Sequence, residues 1–496
     1  MVQSILQGYL SLFEPATFIF LLIGFMIGLI FGIIPGLTAT LAIALLLPVT
    51  FVLEPTKSLV MAMGIFMSGI YSGGITGTLI NIPGTPGGAI TAIEGYPLMQ
   101  KGKGALALTH GAFASLIGGC AGVIILMTLC PVIAKFALLL HAPDRFSLMI
   151  MALTAVIVSD KSGMVKGIIA TTVGLMLATV GIDTGSSTAR ITFGIISLTE
   201  GVNLLPAMIG MFAISELLFQ IDLSWKEITI KIEEFKYKRR DFIPKLSDLK
   251  RLGPILYIKS LLIGGVAGAM PGAGGSVAGF MAYAEAKRSS KYPEEWGNGA
   301  LEEVVAPETA NNAMCGGAMI PLLTLGIPGD SVTAVIIGIF RIQGIIPGES
   351  LLVKSMPLIA TIYAALMISA ILIPISLWLF APYYIRIALI KKSILFSFIA
   401  IIAMLGPYAA TFSQFQILLA LILGVVTYIL KKFDYPTIPF LMGLILGPLT
   451  EDFLRRAISI HGTPTIFFTR PISLAFIIIS IIFIYYLGIK RRITHD

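Results

Sequence analysis

Apolar runs long enough to cross a bilayer recur along this chain, and Pro-Gly pairs interrupt several of them. Roughly 18 consecutive apolar residues make a candidate spanning helix. The chain, 496 residues with 56% hydrophobic and only 12% charged side chains, exceeds that length repeatedly. The expected class is therefore an all-α polytopic membrane protein. Its 51 glycines and 27 prolines are many for helices. They point either to helices that break inside the membrane, with neighbours pairing the freed amides, or to helices that only kink and pack closely.

The breaks carry polar residues. Residues 303 to 333, EVVAPETANNAMCGGAMIPLLTLGIPGDSVT, place Glu308, Asn311, Asn312, Thr324, Asp330, Ser331 and Thr333 in otherwise apolar sequence. Residues 73 to 91, GGITGTLINIPGTPGGAIT, place Asn81, Thr85 and Thr91 around a second Ile-Pro-Gly. Polar groups at membrane depth are costly and face a cavity, an ion or a partner, so both stretches read as parts of a site.

Other classes are excluded residue by residue. The net charge of +8 comes from Lys and Arg gathered in short loops between apolar runs, as the positive-inside rule expects, so no nucleic-acid face is implied. Cys120, Cys130 and Cys315 are odd in number and lack CxxC spacing, which argues against a disulfide framework or a zinc site. The sequence contains no GxxxxGK[ST] loop, HExxH or GxSxG motif. MVQSILQGYLSLFEP lacks a positive signal-peptide n-region, so no cleavage is expected there.

The pattern repeats. Residues 18 to 53 contain Gly32-Ile-Ile-Pro-Gly36, which predicts a helix broken near its middle, and Gly24, Gly28 and Gly32 predict a close-packed face. GLIFGIIPGLTATLAI at 28 to 43 matches GGVAGAMPGAGGSVAG at 264 to 279, and Ile82-Pro83-Gly84 matches Ile327-Pro328-Gly329. Leu205-Pro206 to Gly210 likewise echoes Ile438-Pro439 to Gly443, all at offsets of roughly 230 to 250 positions. The expected division is repeat one at 16–222, a basic linker at 223–254, repeat two at 255–456 and one additional helix at 471–489. Positive charge puts the linker and Lys490-Arg491-Arg492 in the cytoplasm and makes the repeats inverted, although Arg455 and Arg456 oppose that arrangement. Asp183 to Arg190, DTGSSTAR, reads as an exposed loop or as part of a pathway.

A half-helix that begins inside the membrane presents unpaired N–H groups and the positive end of its dipole, an arrangement suited to an anion. The candidate substrate-binding residues are accordingly Pro35, Gly36, Asn81, Pro83, Gly84, Thr85, Gly87, Gly88, Gly272, Ala273, Gly274, Gly275, Ser276, Pro328, Gly329, Ser331 and Thr333. No Lys or Arg lies within 73–91, 268–282 or 306–333, so backbone amides take the place of an arginine clamp. On this reading Gly84→Val and Gly329→Val block uptake in a folded protein, whereas Arg341→Gln is tolerated. Glu308, Asn311, Asn312 and Asp330 are the candidates for coupling to Na+ or H+, with Na+ placed at Asn311, Asn312 and Asp330. The bland alternative is that these groups only bond helix to helix. Glu308 follows Pro307, so it reads equally as a helix-start cap; Glu94, Glu302 and Glu303 are expected at the interface. No cofactor is expected. An intramembrane enzyme with Glu308 and Asp330 as an acid/base pair is the alternative function.

Together these stretches resemble the large permease subunit of the tripartite tricarboxylate transporters, the TctA type. The resemblance rests on GIIPG with LLLPVTF at 32 to 51, INIPGTPGGAITAIEGYPLMQKGKGALAL at 80 to 108, MPGAGGSVAGFMAYAEAK at 270 to 287 and APETANNAMCGGAMIPLLTLGIPGDS at 306 to 331. Thr38 and Glu303 stand where the pattern leads one to expect glycine, and Glu94 where it leads one to expect aspartate. The resemblance implies a secondary importer of small carboxylates in the cytoplasmic membrane, driven by an ion gradient. Its implied partners are a small TctB-like membrane subunit and an extracytoplasmic TctC-like solute-binding protein. A homodimer is a further expectation.

Overall fold

The computed structural model describes residues 2–160, 162–183, 185–224, 237–390 and 392–486. Residues 225–236 of the basic linker, and the chain from 487 on with Lys490, Arg491 and Arg492, lie outside the described residues.

In chain order the helices begin with α1 (Val2–Leu12), α2 (Pro15–Ile33), α3 (Ala39–Thr50), α4 (Pro55–Ile80), α5 (Gly88–Gln100), α6 (Gly104–Ala137), α7 (Ala142–Ser159) and α8 (Met164–Ala178). A two-stranded hairpin (β1, Gly181–Ile182; β2, Ala189–Arg190) precedes α9 (Leu204–Met208), which passes through a π-turn into α10 (Ser215–Ser224). After the linker come α11 (Leu246–Ala269), α12 (Gly274–Ser289), α13 (Leu301–Leu325), α14 (Ser331–Ile342), α15 (Glu349–Lys354) and α16 (Met356–Ala388). The last are α17 (Lys392–Thr411), α18 (Gln414–Lys432), α19 (Thr437–His461), α20 (Ile466–Thr469) and α21 (Pro471–Phe483). Among the described residues nine helical segments are long and apolar enough to span a membrane, so the chain is an all-α, multi-pass membrane protein.

Two compact units divide the chain: Met1–Ile133 with Leu223–Met270 and Gly274–Phe396, and Ala134–Asp222 with Pro271–Ala273 and Ser397–Asp496. The division does not follow the sequence repeats. Each unit takes segments from both.

In the first unit the predicted break falls between α2 and α3, where Thr38 caps α3 by accepting from Leu41 N at 3.2 Å. The glycine face of α2 packs as expected: a Cβ at Gly24 would lie 2.1 Å from Met61 O, and Ser68 Oγ of α4 donates to Phe25 O at 2.8 Å. α4 then stops at Asn81, left-handed at φ 56°, a conformation asparagine tolerates. α13 stops in the same way at Gly326, φ 70°, and in both cases Ile-Pro-Gly and a short helix follow. Within α11 a non-helical Gly253 beside Pro254 separates the linker's last residues from the membrane-length helix, close to the expected boundary at 255.

In the second unit α19 packs on α8, where a Cβ at Gly443 would meet Thr171 O at 2.3 Å. DTGSSTAR is mainly exposed, as the loop reading expects, but Asp183 is buried. Hydrogen bonds from Ser186 and Gly185, with Arg455 and Arg190 beside it, hold the Asp183 carboxyl below the usual carboxylate range. Arg455 also pairs with Glu451, and Arg456 with Asp452. The two arginines that count against the inverted topology are thus charge-compensated.

Candidate functional site

The first unit brings together the starts of four short helices. At α3 and α14 the contact is direct, Thr40 Oγ1 to Ser331 Oγ at 3.0 Å. At α5 and α12 it runs through Asn311 of α13, since a Cβ on Gly87 would lie 2.8 Å, and one on Gly275 2.1 Å, from Asn311 Oδ1. α12 in turn reaches α14, where a Cβ on Gly274 would lie 3.7 Å from Asp330 Cβ. Helix starts from both halves of the chain therefore lie close to one another, and no lysine or arginine occurs in residues 28–43, 73–91, 268–282 or 306–333.

Asn311 and Asn312 both face α4. Their Nδ2 groups approach Ile70 O at 3.5 Å and Met67 O at 3.4 Å, long contacts that link α13 to α4. The helix-to-helix reading covers that half of each amide. The other half is unpaired: Asn311 Oδ1 and Asn312 Oδ1 are buried and, among the described residues, accept no hydrogen bond. A buried acceptor without a donor costs about 1–3 kcal/mol, which a bound cation or water can relieve.

Glu308 lies in the second turn of α13, 2% exposed, with Pro307 inside the same helix. The helix-start reading therefore fails, because α13 begins seven residues earlier at Leu301. Its carboxylate instead accepts from Thr91 Oγ1 at 2.7 Å and Ser115 Oγ at 3.0 Å. A void of about 10 Å³ beside it, lined also by Tyr71, Thr78 and Gly111, has roughly the room of one water. Asp330 is bound differently, as the N-cap of α14, accepting from Thr333 N at 2.8 Å and Thr333 Oγ1 at 2.6 Å. The two carboxylates are thus committed to separate partners.

Of the other candidates, Thr85 and Thr333 spend their hydroxyls on helix starts, Thr85 accepting from Gly88 N at 3.2 Å. Asn81 is exposed and serves as the C-cap of α4. Pro35, Gly36, Pro83 and Ser276 are half-buried, and Pro328 is buried. Gly272 and Ala273 belong to the second unit, where Gly272 packs on Val156. Gly84 and Gly329 have no room for a side chain: a Cβ would lie 1.8 Å from Gly32 O and 2.3 Å from Gly268 O. The expectation that valine at either position leaves the fold intact is therefore corrected, because both contacts are to backbone.

Four further buried polar residues lie outside the candidate set. Thr40 follows the Pro35-Gly36 break, and Ser115 is a hydroxyl in an apolar run. Glu303 is fully buried, with neither oxygen hydrogen-bonded among the described residues. Glu94, also fully buried, accepts from the backbone N–H groups of Gly297, Gly299 and Ala300, and so ties the loop before α13 to α5. Glu94→Ala orphans three backbone donors of that loop and should cost about 3 kcal/mol or more, with Glu94→Gln recovering part of it. Thermal unfolding of the purified variants checks this.

A profile of the Tripartite tricarboxylate transporter TctA family matches residues 18–442, through all four half-helix starts. The chain belongs to the TctA family. It is also 34% identical over 485 residues, 97% of this chain and 95% of the relative, to an uncharacterized 52.8 kDa protein in the TAR-I ttuC' 3' region of Agrobacterium vitis. A second protein from that organism, uncharacterized and in the TAR-II ttuC' 3' region, is 38% identical over 211 residues, 42% of this chain and 87% of its own length. No solved structure matches. As a TctA-family chain it is a component of a tripartite tricarboxylate transporter, and nothing in the site or the comparisons favours the enzyme alternative.

Proposed function

We propose that this chain is the translocating subunit of an importer for small carboxylates in the cytoplasmic membrane. A TctC-like binding protein delivers the substrate, a TctB-like small subunit accompanies the chain, and a Na+ or H+ gradient drives uptake. The observation that carries this reading is the meeting of four half-helix starts without a cationic side chain, next to two orphaned amide oxygens. The α3, α5, α12 and α14 starts supply positive potential for carboxylates. Asn311 and Asn312 supply oxygens for a cation, and Asp330 caps α14 while adding negative charge nearby. Glu308 is the group whose protonation or pairing would register the ion.

The test is uptake of labelled citrate, tartrate and succinate into proteoliposomes holding this chain, its small subunit and its binding protein, under an imposed Na+ or pH gradient. Accumulation of at least one acid that needs a gradient supports the reading. Binding-protein capture without any uptake would remove it.

The linker and C-terminus are assigned to the cytoplasm on their charge. Cysteines introduced at 240 and 494, in a background lacking the native three, should resist an impermeant thiol reagent in intact cells and react once the cells are opened. Labelling of either in intact cells would reverse the orientation.

A further inference from the structure

The geometry points to a site for one anionic phospholipid in the groove between α11 and α12, separate from the carboxylate path. The groove, about 590 Å³, is lined by Leu262 and Ile263 of α11 and Phe280, Met281 and Ala284 of α12, with Lys259, Glu285 and Arg288 at one end. Its apolar wall is open: Leu262 is 56% and Phe280 60% exposed. In a membrane protein such a wall is covered by acyl chain or by protein, and the polar end decides which.

At that end Glu285 bridges two cations, Lys259 Nζ at 2.8 Å and Arg288 Nη2 at 2.7 Å. One unit of positive charge is left over, on flexible side chains that remain partly exposed. The level of this cluster is fixed independently by aromatic residues. Tyr283 and Trp296 meet edge to face at 5.4 Å, Lys287 lies 5.8 Å from the Tyr283 ring, and Arg251 lies 4.2 Å from the Tyr292 ring. Tyr, Trp, Lys and Arg concentrated in this way mark a headgroup layer. Phe280 is eight residues from Arg288 along α12, about 12 Å deeper at 1.5 Å per residue.

A cluster with one net positive charge at headgroup level thus borders a slot of acyl-chain character. A zwitterionic lipid fits the slot but leaves the excess charge unmatched, whereas a lipid with net negative charge satisfies both parts. Because Lys259 and Arg288 come from the two helices flanking one break, the lipid holds the α11–α12 pair at the end away from that break.

Native mass spectrometry of the full-length protein, released from nanodiscs of mixed composition, tests this. Phosphatidylglycerol should be retained over phosphatidylcholine of identical acyl chains by about fivefold, the effect of one unit of charge near the surface. Glu285→Gln should raise that preference by a similar factor, a gain that damage to the fold does not produce. Lys259→Gln with Arg288→Gln should abolish the preference, and Ala284→Phe should reduce retention of both lipids. Equal retention of the two lipids by the wild type would overturn the proposal. So would displacement of phosphatidylglycerol by millimolar inorganic phosphate, which would make this a soluble-anion site. The proposal also fails if Ala284→Phe splits an oligomer while lipid retention is unchanged, which would make the groove a protein interface.

Discussion

Gly84→Ala is expected to cost about 3 kcal/mol or more of stability and to abolish uptake as a consequence. The Cβ would sit 1.8 Å from Gly32 O and 3.3 Å from Gly73 Cα, so the Ile-Pro-Gly turn would have to leave the end of α2 or the middle of α4. Overpacking against side chains costs about 1–3 kcal/mol, and backbone gives way less readily. Gly329→Ala should behave alike, with Gly268 O at 2.3 Å and Ala318 Cα at 2.7 Å. The measurement is the thermal midpoint of each purified variant, read beside its uptake. A midpoint equal to the wild type with uptake lost would restore the view that these glycines only admit the substrate.

Glu308→Gln should separate coupling from transport. The carboxylate has two hydroxyl donors, Thr91 and Ser115, and, among the described residues, no paired cation, and the proposed function makes it the group that carries the coupling charge or proton. Glutamine keeps the shape and one acceptor oxygen but cannot exchange a proton or fully balance an ion. Gradient-driven accumulation should fall about tenfold or more, within the usual range of coupling free energies, while exchange of substrate across the membrane continues. If accumulation under both Na+ and pH gradients stays at the wild-type level, Glu308 is a structural bridge from α13 to α5 and α6.

Much of the fold could be read from the chain because hydrocarbon leaves few options. The break at Pro35-Gly36 and the close-packed face of Gly24, Gly28 and Gly32 follow from local rules on proline and glycine. The site was half-readable for a related reason. A polar residue in an apolar run announces that it has a partner without naming it. Thus Asn311 and Asn312 were found, but their contacts with α4 were not, since those depend on helices some 240 positions apart. That Asp330 caps α14 with Thr333 is not separable in the sequence from a ligand role, because an N-cap and a ligand use the same side chains. Nor does anything local to Glu94 show that Gly297, Gly299 and Ala300 return to it.

The interleaving of the two compact units also bears on synthesis. Ile70 emerges from the ribosome 241 residues before Asn311, which reaches toward its carbonyl. At about 5–20 residues per second that is a wait on the order of 10 to 50 s, with α2 and α4 already inserted and their partner helix not yet made. The early helices must spend this interval in lipid or beside an insertion factor, with Gly74 and Ser115 lacking the Glu308 carboxylate they will later meet. Cutting the gene at the linker would follow the sequence repeat but sever both units. Two half-length fragments should therefore be degraded when made separately and accumulate only when made together.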